Sequence, residues 1–320
     1  MPQPAPVDIL DLHPPEQNVT KEVLAGLRGS PRRLNCMLFY DERGSQLFDD
    51  ITELPEYYQT RTERQILADM IPHLDRVLGR DLILIEYGSG SSDKTDLLLA
   101  GLDVTSYVPI DISRWYLETA AERLLDQFDD FSVHPVLADY NQPISLPDAP
   151  GKTRVGFFPG STIGNFSREQ AARFLKRAAD TLGPGGHLIV GADLVKDPAV
   201  LHAAYNDASG TTAAFNLNLL RRLNEDLDAD FDLDAWYHYA PYNLAERRIE
   251  MHLVSGATQD VTVAGERFHF DRGESIWTES SHKFTRRAFA ELAGGAGFEV
   301  LSVTTDEDEL FSVQLLKRKA

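Results

Sequence analysis

The sequence holds a single cysteine, Cys36, and lacks any long run of apolar residues. One cysteine excludes an intramolecular disulfide framework and any zinc site that needs paired cysteines, and it is typical of a reducing compartment. No stretch approaches the roughly 20 consecutive apolar residues that a membrane helix needs. Residues 1–6 carry neither the basic start nor the apolar run of a secretory signal. We therefore expect a cytoplasmic protein with no membrane partner.

Positive charge is also scarce. The 31 Lys and Arg residues stand against 50 Asp and Glu, which gives a formal net charge of −19. Proteins that bind nucleic acid rely on basic contacts to phosphate, and the sequence contains no basic stripe. The nine histidines form no i, i+4 pair and no HExxH cluster. We therefore expect a small-molecule substrate, no nucleic-acid partner, no metal ion and a monomer.

Strand-like and helix-like segments alternate through the middle of the chain. Residues 81–86 form a continuous apolar run, which is typical of a buried strand in a parallel sheet. Four further strand-like segments follow, at residues 106–111, 131–136, 153–158 and 187–191. Helical segments lie between most of them, notably at 114–128 and 167–182. This repetition predicts an α/β fold with an open, doubly wound sheet.

The alternation breaks after residue 193. Two helices and then strands are predicted there, at residues 199–208, 213–227, 248–254 and 259–263. The pattern then resumes with a helix and two strands that an acidic turn joins into a hairpin, at residues 285–293, 298–303 and 311–316.

The segment before the first strand predicts two helices. One lies around residues 18–27, and the other begins near Thr62 and is bent or ended by Pro72. Together these patterns predict two domains. Residues 61–196 and 284–320 form a mostly parallel sheet domain with an antiparallel last strand, and residues 1–60 and 197–283 form an α+β substrate-binding domain.

A glycine-rich turn, Gly88-Ser89-Gly90, follows the first strand of the sheet and precedes a helix. Glycine at both positions lets the backbone turn sharply and lets a ligand lie against it. Dinucleotide dehydrogenases use a related turn. However, no third glycine follows, and Asp93 would repel a pyrophosphate. S-adenosylmethionine carries no phosphate, so it suits this turn better than NAD, and an NAD-dependent oxidoreductase is the alternative from a different class.

Acidic residues end the next two strands. Asp111 follows Gly90 by about 20 positions, where a carboxylate can accept hydrogen bonds from ribose hydroxyls. Asp139 and Tyr140 follow the third strand, where an acid can bond the adenine amine and an aromatic ring can flank the base. A Gly-Pro-Gly-Gly turn at residues 183–186 and the terminal hairpin are similar to the core of class I methyltransferases. These features predict S-adenosylmethionine as the methyl donor.

Over nearly its whole length the chain resembles the histidine-specific methyltransferases that make trimethylhistidine for ergothioneine. The matching segments are residues 39–45, 54–58, 86–92, 160–165, 193–198, 249–251 and 278–284. The sequence departs from the family at Tyr87, where leucine is usual, and at Pro159-Gly160-Ser161, where Gly-Gly-Thr or similar is usual. The resemblance implies stepwise Nα-methylation of L-histidine to Nα,Nα,Nα-trimethylhistidine (hercynine).

The resemblance also implies which residues bind the imidazole ring. Glu279 and Ser281 lie two apart, on one face of an extended strand, and reach the two ring nitrogens. Tyr57 is a further partner of a ring nitrogen, and Met251 packs against the ring. Related enzymes of this family methylate an indole amino acid, which remains an alternative substrate, although an indole would not need both Glu279 and Ser281.

The backbone groups of the amino acid and its methylated amine have their own implied partners. Asn165 and Tyr205 bond the carboxylate, and Asn165 also orients the amine. Tyr40 and Phe48 surround the trimethylammonium, because aromatic faces attract a cation. Tyr40 and Asn165 are the catalytic candidates. Either Tyr40 or a water relay accepts the amine proton.

The complete set of residues assigned to the cofactor is Tyr40, Gly88, Ser89, Gly90, Lys94, Asp111, Asp139, Tyr140 and Gly160. A module that binds S-adenosylmethionine without catalysis is the remaining alternative.

Overall fold

The computed structural model describes residues 8–12, 19–90, 93–127, 132–146 and 151–320. Several positions used above lie outside these ranges, namely residues 1–6, Asn18, Ser91, Ser92, Phe128 and Phe131. The chain divides into two compact units. Unit 1 comprises Met1–Glu16, Arg61–Leu194 and Phe284–Ala320, and unit 2 comprises Gln17–Thr60 and Val195–Lys283.

The elements of the described residues are numbered in chain order. The α-helices are α1 (Val19–Arg28), α2 (Glu42–Thr52), α3 (Tyr58–Leu78), α4 (Asp93–Gly101), α5 (Arg114–Gln127), α6 (Arg168–Leu182), α7 (Pro198–Tyr205), α8 (Thr211–Asp226) and α9 (Arg286–Gly295). The strands are β1 (Leu10–Asp11), β2 (Arg32–Arg33), β3 (Leu82–Tyr87), β4 (Val104–Asp111), β5 (Ser132–Val133), β6 (Val136–Leu137), β7 (Thr153–Phe158), β8 (His187–Asp193), β9 (Trp236–Tyr239), β10 (Tyr242–Asn243), β11 (Arg248–Ser255), β12 (Gln259–Val263), β13 (Glu266–Phe270), β14 (Ser275–His282), β15 (Phe298–Thr305) and β16 (Phe311–Arg318).

Unit 1 is built on one twisted sheet with the strand order β1-β6-β4-β3-β7-β8-β16-β15, and β5 also pairs with β4. Neighbouring strands are parallel from β1 to β8, whereas β16 runs antiparallel to both β8 and β15. The predicted doubly wound, mostly parallel fold with an antiparallel last strand is therefore confirmed. The carboxyl ends of β3, β4, β6 and β7 lie at the same edge, which is where such sheets bind ligands.

Alternation along β3 explains why unit 1 has helices on both faces of its sheet. Every residue of β3 is buried. Ile83, Ile85 and Tyr87 pack on one face, in a core cluster that includes residues of α6 and α9. Leu82 and Leu84 pack on the other face, with residues of α3 and α4. A strand that is covered on both faces reads as one continuous apolar run, which is the pattern that residues 81–86 show.

Two predicted elements of unit 1 differ from the structure. The predicted strand at 131–136 is two short strands, β5 and β6, separated by His134 and Pro135. Pro135 has no backbone N–H to donate to a ladder, so it interrupts the pairing. Conversely, α3 continues through Pro72, so of the two predicted effects of this proline, an end or a bend, the end is wrong. Leu67 and Leu74 on either side of Pro72 are fully buried, and this packing outweighs the preference of proline.

The N-terminal segment also differs from the predicted grouping of residues 1–60. Leu10 and Asp11 of β1 pair in parallel with Val136 and Leu137 of β6, so this segment belongs to the sheet of unit 1. The remainder of that range, from Gln17 to Thr60, belongs to unit 2.

Unit 2 combines helices α1, α2, α7 and α8 with a five-stranded sheet and a hairpin. The order of the sheet is β10-β11-β14-β2, with β9 also paired to β11, and β12 pairs with β13. Strand β11 alternates strictly between buried and partly exposed residues, with Ile249, Met251, Leu253 and Ser255 buried. This period of two is typical of a sheet that packs one face against a core.

Membrane-spanning helices and metal-binding clusters are both absent from the described ranges. No helix there is long and apolar enough to cross a membrane. No group of three or more His, Cys, Asp or Glu side chains in those ranges is arranged to hold a metal ion.

Candidate active site

The predicted glycine-rich turn leaves the carboxyl end of β3 in unit 1 with left-handed backbone at both glycines. The φ angles are +79° at Gly88 and +41° at Gly90, which disfavour residues with a side chain. The Gly88 N–H donates to the carbonyl of Ile110 on β4 at 2.8 Å. A Cβ atom at Gly88 would lie 3.5 Å from Cε1 of Tyr140. The turn and Tyr140, two parts of the predicted cofactor site, are thus neighbours.

Asp111 lies at the end of β4, beside the glycine-rich turn. Its Oδ1 accepts the N–H of Ser113 at 2.8 Å, and its Oδ2 accepts the N–H of Gly90 at 3.5 Å. Burial raises the pKa of Asp111, and the backbone N–H groups of the turn lower it. Backbone donors therefore hold this carboxyl group in place at the position predicted to bind ribose hydroxyls.

Asp139 and Tyr140 follow β6 at the same edge of the sheet. Asp139 is buried, and its Oδ1 accepts the N–H of Asn141 at 2.8 Å. The ring of Tyr140 makes edge contacts with Phe158 and Phe174, with centroids 5.7 and 6.0 Å apart. These contacts hold the ring in one orientation, as the flank of an adenine would require.

Lys94 and Gly160, also predicted for the cofactor, share a partner that sequence reasoning missed. Oε2 of Glu63, on α3, accepts a hydrogen bond from Lys94 Nζ at 2.6 Å and one from the Gly160 N–H at 2.8 Å. Glu63 is fully buried. One carboxylate therefore joins helix α4 to the loop after β7. Glu63 lies three and four residues before the buried Ile66 and Leu67, so its place on the apolar face of α3 is a sequence signal that could have identified it.

A second buried glutamate, Glu86, lies under the glycine-rich turn. Its Oε2 accepts hydrogen bonds from the hydroxyl of Thr95, at 2.7 Å, and from that of Tyr107. Burial raises the pKa of Glu86 to about 8, although the two hydroxyls and the charge of Lys94 lower it. The position of Glu86 in an otherwise apolar strand is a sequence signal that could have identified it.

Asn165 ends a short 3-10 helix, Thr162–Asn165, in the loop after β7 of unit 1. The residue before this helix, Ser161, has φ +57°, and its hydroxyl accepts the N–H of Asp193 at 2.9 Å. That bond joins two of the segments that carry the family resemblance, 160–165 and 193–198. The loop that carries Asn165 is thus fixed to the end of β8.

In unit 2, four of the predicted substrate residues form a chain of aromatic rings. The centroids are 5.9 Å apart for Tyr40 and Phe48, 6.4 Å for Phe48 and Tyr57, and 6.5 Å for Tyr57 and Tyr205. Phe215, which was not predicted, contacts both Tyr40 and Phe48 with centroids 5.9 Å apart in each pair. Residues from three separate segments of sequence therefore come together. Tyr40 was also assigned to the cofactor, and it lies in unit 2 rather than with the other cofactor residues of unit 1.

The start of helix α2 explains the first matching segment, residues 39–45. Asp41 caps the helix, and its Oδ1 accepts hydrogen bonds from the Gly44 N–H at 2.6 Å and from Asn218 Nδ2 at 2.9 Å. A Cβ atom at Gly44 would lie 1.7 Å from the carbonyl oxygen of Phe39, so only glycine fits. The cap sets the position of α2 and hence of Phe48.

Glu279 and Ser281 lie on β14, as the assumption of an extended strand requires. In the antiparallel pairing with β11, Met251 lies opposite Glu279 and Ile249 lies opposite Ser281. Directly opposed residues of such a pair share a face, so Met251 accompanies the two polar side chains. Burial raises the pKa of Glu279 to about 7, and the charge of Lys283 opposes that shift.

Ser281 belongs to a buried triangle of polar groups with Tyr205 and Lys283. The Tyr205 hydroxyl donates to Ser281 Oγ at 2.7 Å. Lys283 Nζ donates to Ser281 Oγ at 2.8 Å and to the Tyr205 hydroxyl oxygen at 3.0 Å. Tyr205 therefore uses its hydroxyl proton on Ser281, and its predicted bond to a substrate carboxylate would have to replace this one. Lys283 was not predicted, although it continues the two-residue spacing of Glu279 and Ser281.

Comparisons with known proteins match the chain over nearly its whole length. A family model described as histidine-specific methyltransferase, SAM-dependent, matches residues 19–318. The histidine N-alpha-methyltransferase of Mycolicibacterium smegmatis is 41% identical over 305 residues, covering 93% of this chain and 94% of that protein. Ergothioneine biosynthesis protein 1 of Neurospora crassa is 33% identical over 330 residues, covering 99% of this chain and 37% of that protein.

Solved structures share the fold. An S-adenosylmethionine-dependent methyltransferase from Clostridium acetobutylicum superposes with a TM-score of 0.50 at 12% identity, covering 86% of this chain and 99% of that chain. At this identity the likeness concerns architecture alone.

Proposed function

Because the chain belongs to the family of histidine-specific, S-adenosylmethionine-dependent methyltransferases, we propose that it methylates the α-amine of L-histidine. Three successive transfers give Nα,Nα,Nα-trimethylhistidine, a step of ergothioneine biosynthesis. The names of the relatives from Mycolicibacterium smegmatis and Neurospora crassa support this substrate and this setting. The structural observation that carries the proposal is the pair Glu279 and Ser281, side by side on β14 across from Met251 and Ile249.

This pair matches the side chain of histidine. An ionised carboxylate accepts hydrogen bonds and a hydroxyl can donate one, so Glu279 takes the N–H of a neutral imidazole and Ser281 serves the other nitrogen. Met251 is buried on the same face and supplies an adaptable apolar surface for the ring. Tyr57, which contacts Tyr205 in the aromatic chain, adds a further hydroxyl for a ring nitrogen.

The residues of unit 1 suit the methyl donor. The left-handed glycine turn leaves room for a ligand against the backbone, and Asp111 accepts hydrogen bonds from the ribose hydroxyls. Asp139 bonds the adenine amine, and the ring of Tyr140 flanks the base. Bound there, S-adenosylmethionine would supply the methyl group of its sulfonium: an N–C bond would form as the S–C bond breaks, and S-adenosylhomocysteine would be the leaving group. Gly160 and Lys94 complete the proposed donor site, with Glu63 holding both.

The chain's contribution at the amine is to position it and to accommodate its growing charge. Aligning a neutral amine for in-line attack supplies most of the rate. Asn165 and the contacts to the substrate's carboxylate therefore act by orienting the amine. Each transfer releases one proton, for which Tyr40 or a water relay is the proposed acceptor. The rings of Tyr40 and Phe48, held by Phe215, stabilise the cationic product through their faces.

The setting of this reaction is proposed as well. We place the enzyme in the cytoplasm as a monomer that acts on a free amino acid without a metal. Its single cysteine is typical of a reducing compartment, and its acidic charge disfavours binding to nucleic acid or anionic membranes.

Mass spectrometry tests the proposal directly. The protein is incubated with S-adenosylmethionine and L-histidine, and the products are followed over time. We expect species that carry one, two and three added methyl groups, together with S-adenosylhomocysteine. Tryptophan is run in parallel. Methylation of tryptophan in preference to histidine would overturn the substrate assignment, and binding of S-adenosylmethionine without methylation of any amino acid would overturn the activity.

A further inference from the structure

Lys283 is a charged residue buried inside unit 2, and the reaction proposed above assigns it no task. It follows the last residue of β14, and only 4% of its surface is exposed. Its ammonium bonds Ser281 Oγ at 2.8 Å and the Tyr205 hydroxyl at 3.0 Å, and it lies 4.7 Å from the centroid of the Tyr205 ring. Burying an ammonium is costly unless it is well paired, so this placement calls for a reason.

We propose that Lys283 is a positioning residue that fixes Ser281 as a hydrogen-bond donor and thereby selects substrates whose ring has an unprotonated nitrogen. This inference rests on the proposed function and specifies how the ring is recognised. Lys283 acts through Ser281.

The hydrogen-bond inventory of Ser281 carries the argument. A hydroxyl has two acceptor lone pairs and one proton. Ser281 Oγ accepts one hydrogen bond from Tyr205 and one from Lys283, which occupies both lone pairs. Its only remaining capacity is to donate its own proton, provided that the Tyr205 hydroxyl keeps this partner. We therefore assign the substrate carboxylate to Asn165 and leave the Tyr205 proton on Ser281. An ammonium has no acceptor atom, so the bond from Lys283 cannot reverse its direction.

The same ammonium sets the character of Glu279. Burial raises the pKa of Glu279 to about 7, and the charge of Lys283 opposes that shift, so the ionised carboxylate, which only accepts hydrogen bonds, predominates above neutral pH. The strand then presents one obligate donor and one acceptor, two residues apart. A neutral imidazole has one N–H and one unprotonated nitrogen and complements both. An indole or pyrrole ring has only the N–H and would leave the Ser281 proton without a partner, which is penalised in a buried site.

The first test uses the native protein and a change in the ligand. Binding of L-histidine is compared with that of its pyrrole analogue, in which the unprotonated ring nitrogen is replaced by C–H. We expect the analogue to bind about tenfold to a hundredfold more weakly, the range for one lost hydrogen bond in a buried site. Equal binding of the two ligands would overturn the donor role of Ser281.

The second test is a cycle of variants. Lys283→Met should raise the KM for histidine about tenfold or more, while kcat and the Kd for S-adenosylmethionine change little. It should also bring the affinities of histidine and the pyrrole analogue closer together. Lys21→Met removes the same charge from the exposed face of α1 and serves as the matched control, with no change expected.

Combination with Ser281→Ala decides whether Lys283 acts through Ser281. If it does, the KM of the double variant lies well below the product of the two single effects, because the effects of two residues in one network are not additive. The part of the Lys283 effect that persists without Ser281 is its influence on the pKa of Glu279. Multiplied effects, or an unchanged KM in Lys283→Met, would overturn this inference and leave the proposed function intact. A native protein that methylates no histidine would instead overturn the proposed function.

Discussion

The pKa of the Glu279 carboxyl group is raised by burial and lowered by the charge of Lys283. A pKa of about 7 means that about half of the carboxyl groups are ionised at neutral pH and most of them at higher pH. In Glu279→Gln the ring N–H of histidine loses a charged acceptor. We expect the KM for histidine to rise about tenfold to a hundredfold, with the Kd for S-adenosylmethionine unchanged.

The control for this prediction is Glu225→Gln on α8, whose carboxylate is exposed and pairs with Arg221 on the same helix. It removes the same charge from the same unit and should leave the KM unchanged. A Glu279→Gln variant with native kinetics would argue against imidazole recognition by this strand.

Glu86 predicts how stability depends on pH. Its pKa is about 8 in the folded protein and about 4.3 in an unfolded chain. Between these values the folded state binds more protons than the unfolded state, so stability falls as pH rises through this window. The slope from this one group is at most about 1.4 kcal/mol per pH unit. Glu86→Gln, which keeps an acceptor for Thr95 and Tyr107, should flatten the dependence between about pH 5 and pH 8.

Denaturant unfolding of the native chain and of Glu86→Gln at several pH values measures that difference. The two proteins should be closest in stability near pH 5, and the variant should gain on the native chain toward pH 8. Parallel curves would show that the carboxyl group of Glu86 ionises normally.

Residues that follow a strand end could be predicted from the sequence, and residues defined by distant contacts could not. Asp111 and Asp139 have a local signature, because a strand pattern precedes each of them. The role of Glu63 depends on its hydrogen bond with Lys94. That of Lys283 depends on its hydrogen bond with Tyr205, which lies 78 positions away along the chain. A local pattern can show that a charged residue stands at a buried position, but the distant partner of that charge is not recorded in the pattern.

Strand β8 has a glycine at the point where the buried side chain of Glu63 lies against it. A Cβ atom at Gly191, within β8, would lie 1.9 Å from Oε1 of Glu63. Gly191→Ala should therefore displace Glu63 and destabilise the protein by about 1–3 kcal/mol, the usual cost of overpacking. Because Glu63 also holds Lys94 and Gly160, we expect S-adenosylmethionine to bind more weakly as well.

Thermal unfolding and titration calorimetry test this prediction, with Gly294→Ala as the control. A Cβ atom at Gly294, in helix α9, would meet nothing within 4 Å. That substitution should be neutral or slightly stabilising, since alanine suits a helix better than glycine does. A Gly191→Ala variant as stable as the control would show that Glu63 has room to move.

At the level of elements, regular periodicity predicted helices and strands well, whereas proline predicted their ends poorly. The helix predicted at 167–182 is α6, with Ser167 as its capping residue, and the terminal hairpin is β15 and β16. Pro135 split a predicted strand, whereas Pro72 did not end a helix. The difference lies in tertiary packing: buried leucines on both sides hold α3 together, and a strand gains no comparable compensation for a missing donor.

For the whole molecule, the net charge of −19 predicts a stability that depends on salt. Like charges on the surface repel one another in the compact state, and the Debye length falls to about 8 Å at physiological ionic strength. We expect the Tm to rise when NaCl is increased from about 10 mM to about 150 mM. Thermal scans at lower pH, where carboxylates are protonated, provide the control, because the dependence should shrink there.

The position of β16 has a consequence for synthesis on the ribosome. This strand is the last to leave the ribosome among those described, yet it lies inside the sheet, hydrogen-bonded to β8 on one side and to β15 on the other. A nascent chain that has emerged only as far as residue 310 must therefore expose the edge of β8, and exposed edges recruit other strands. Closure of the sheet is a late step, and a chaperone that shields β8 during translation would protect the fold until β16 arrives.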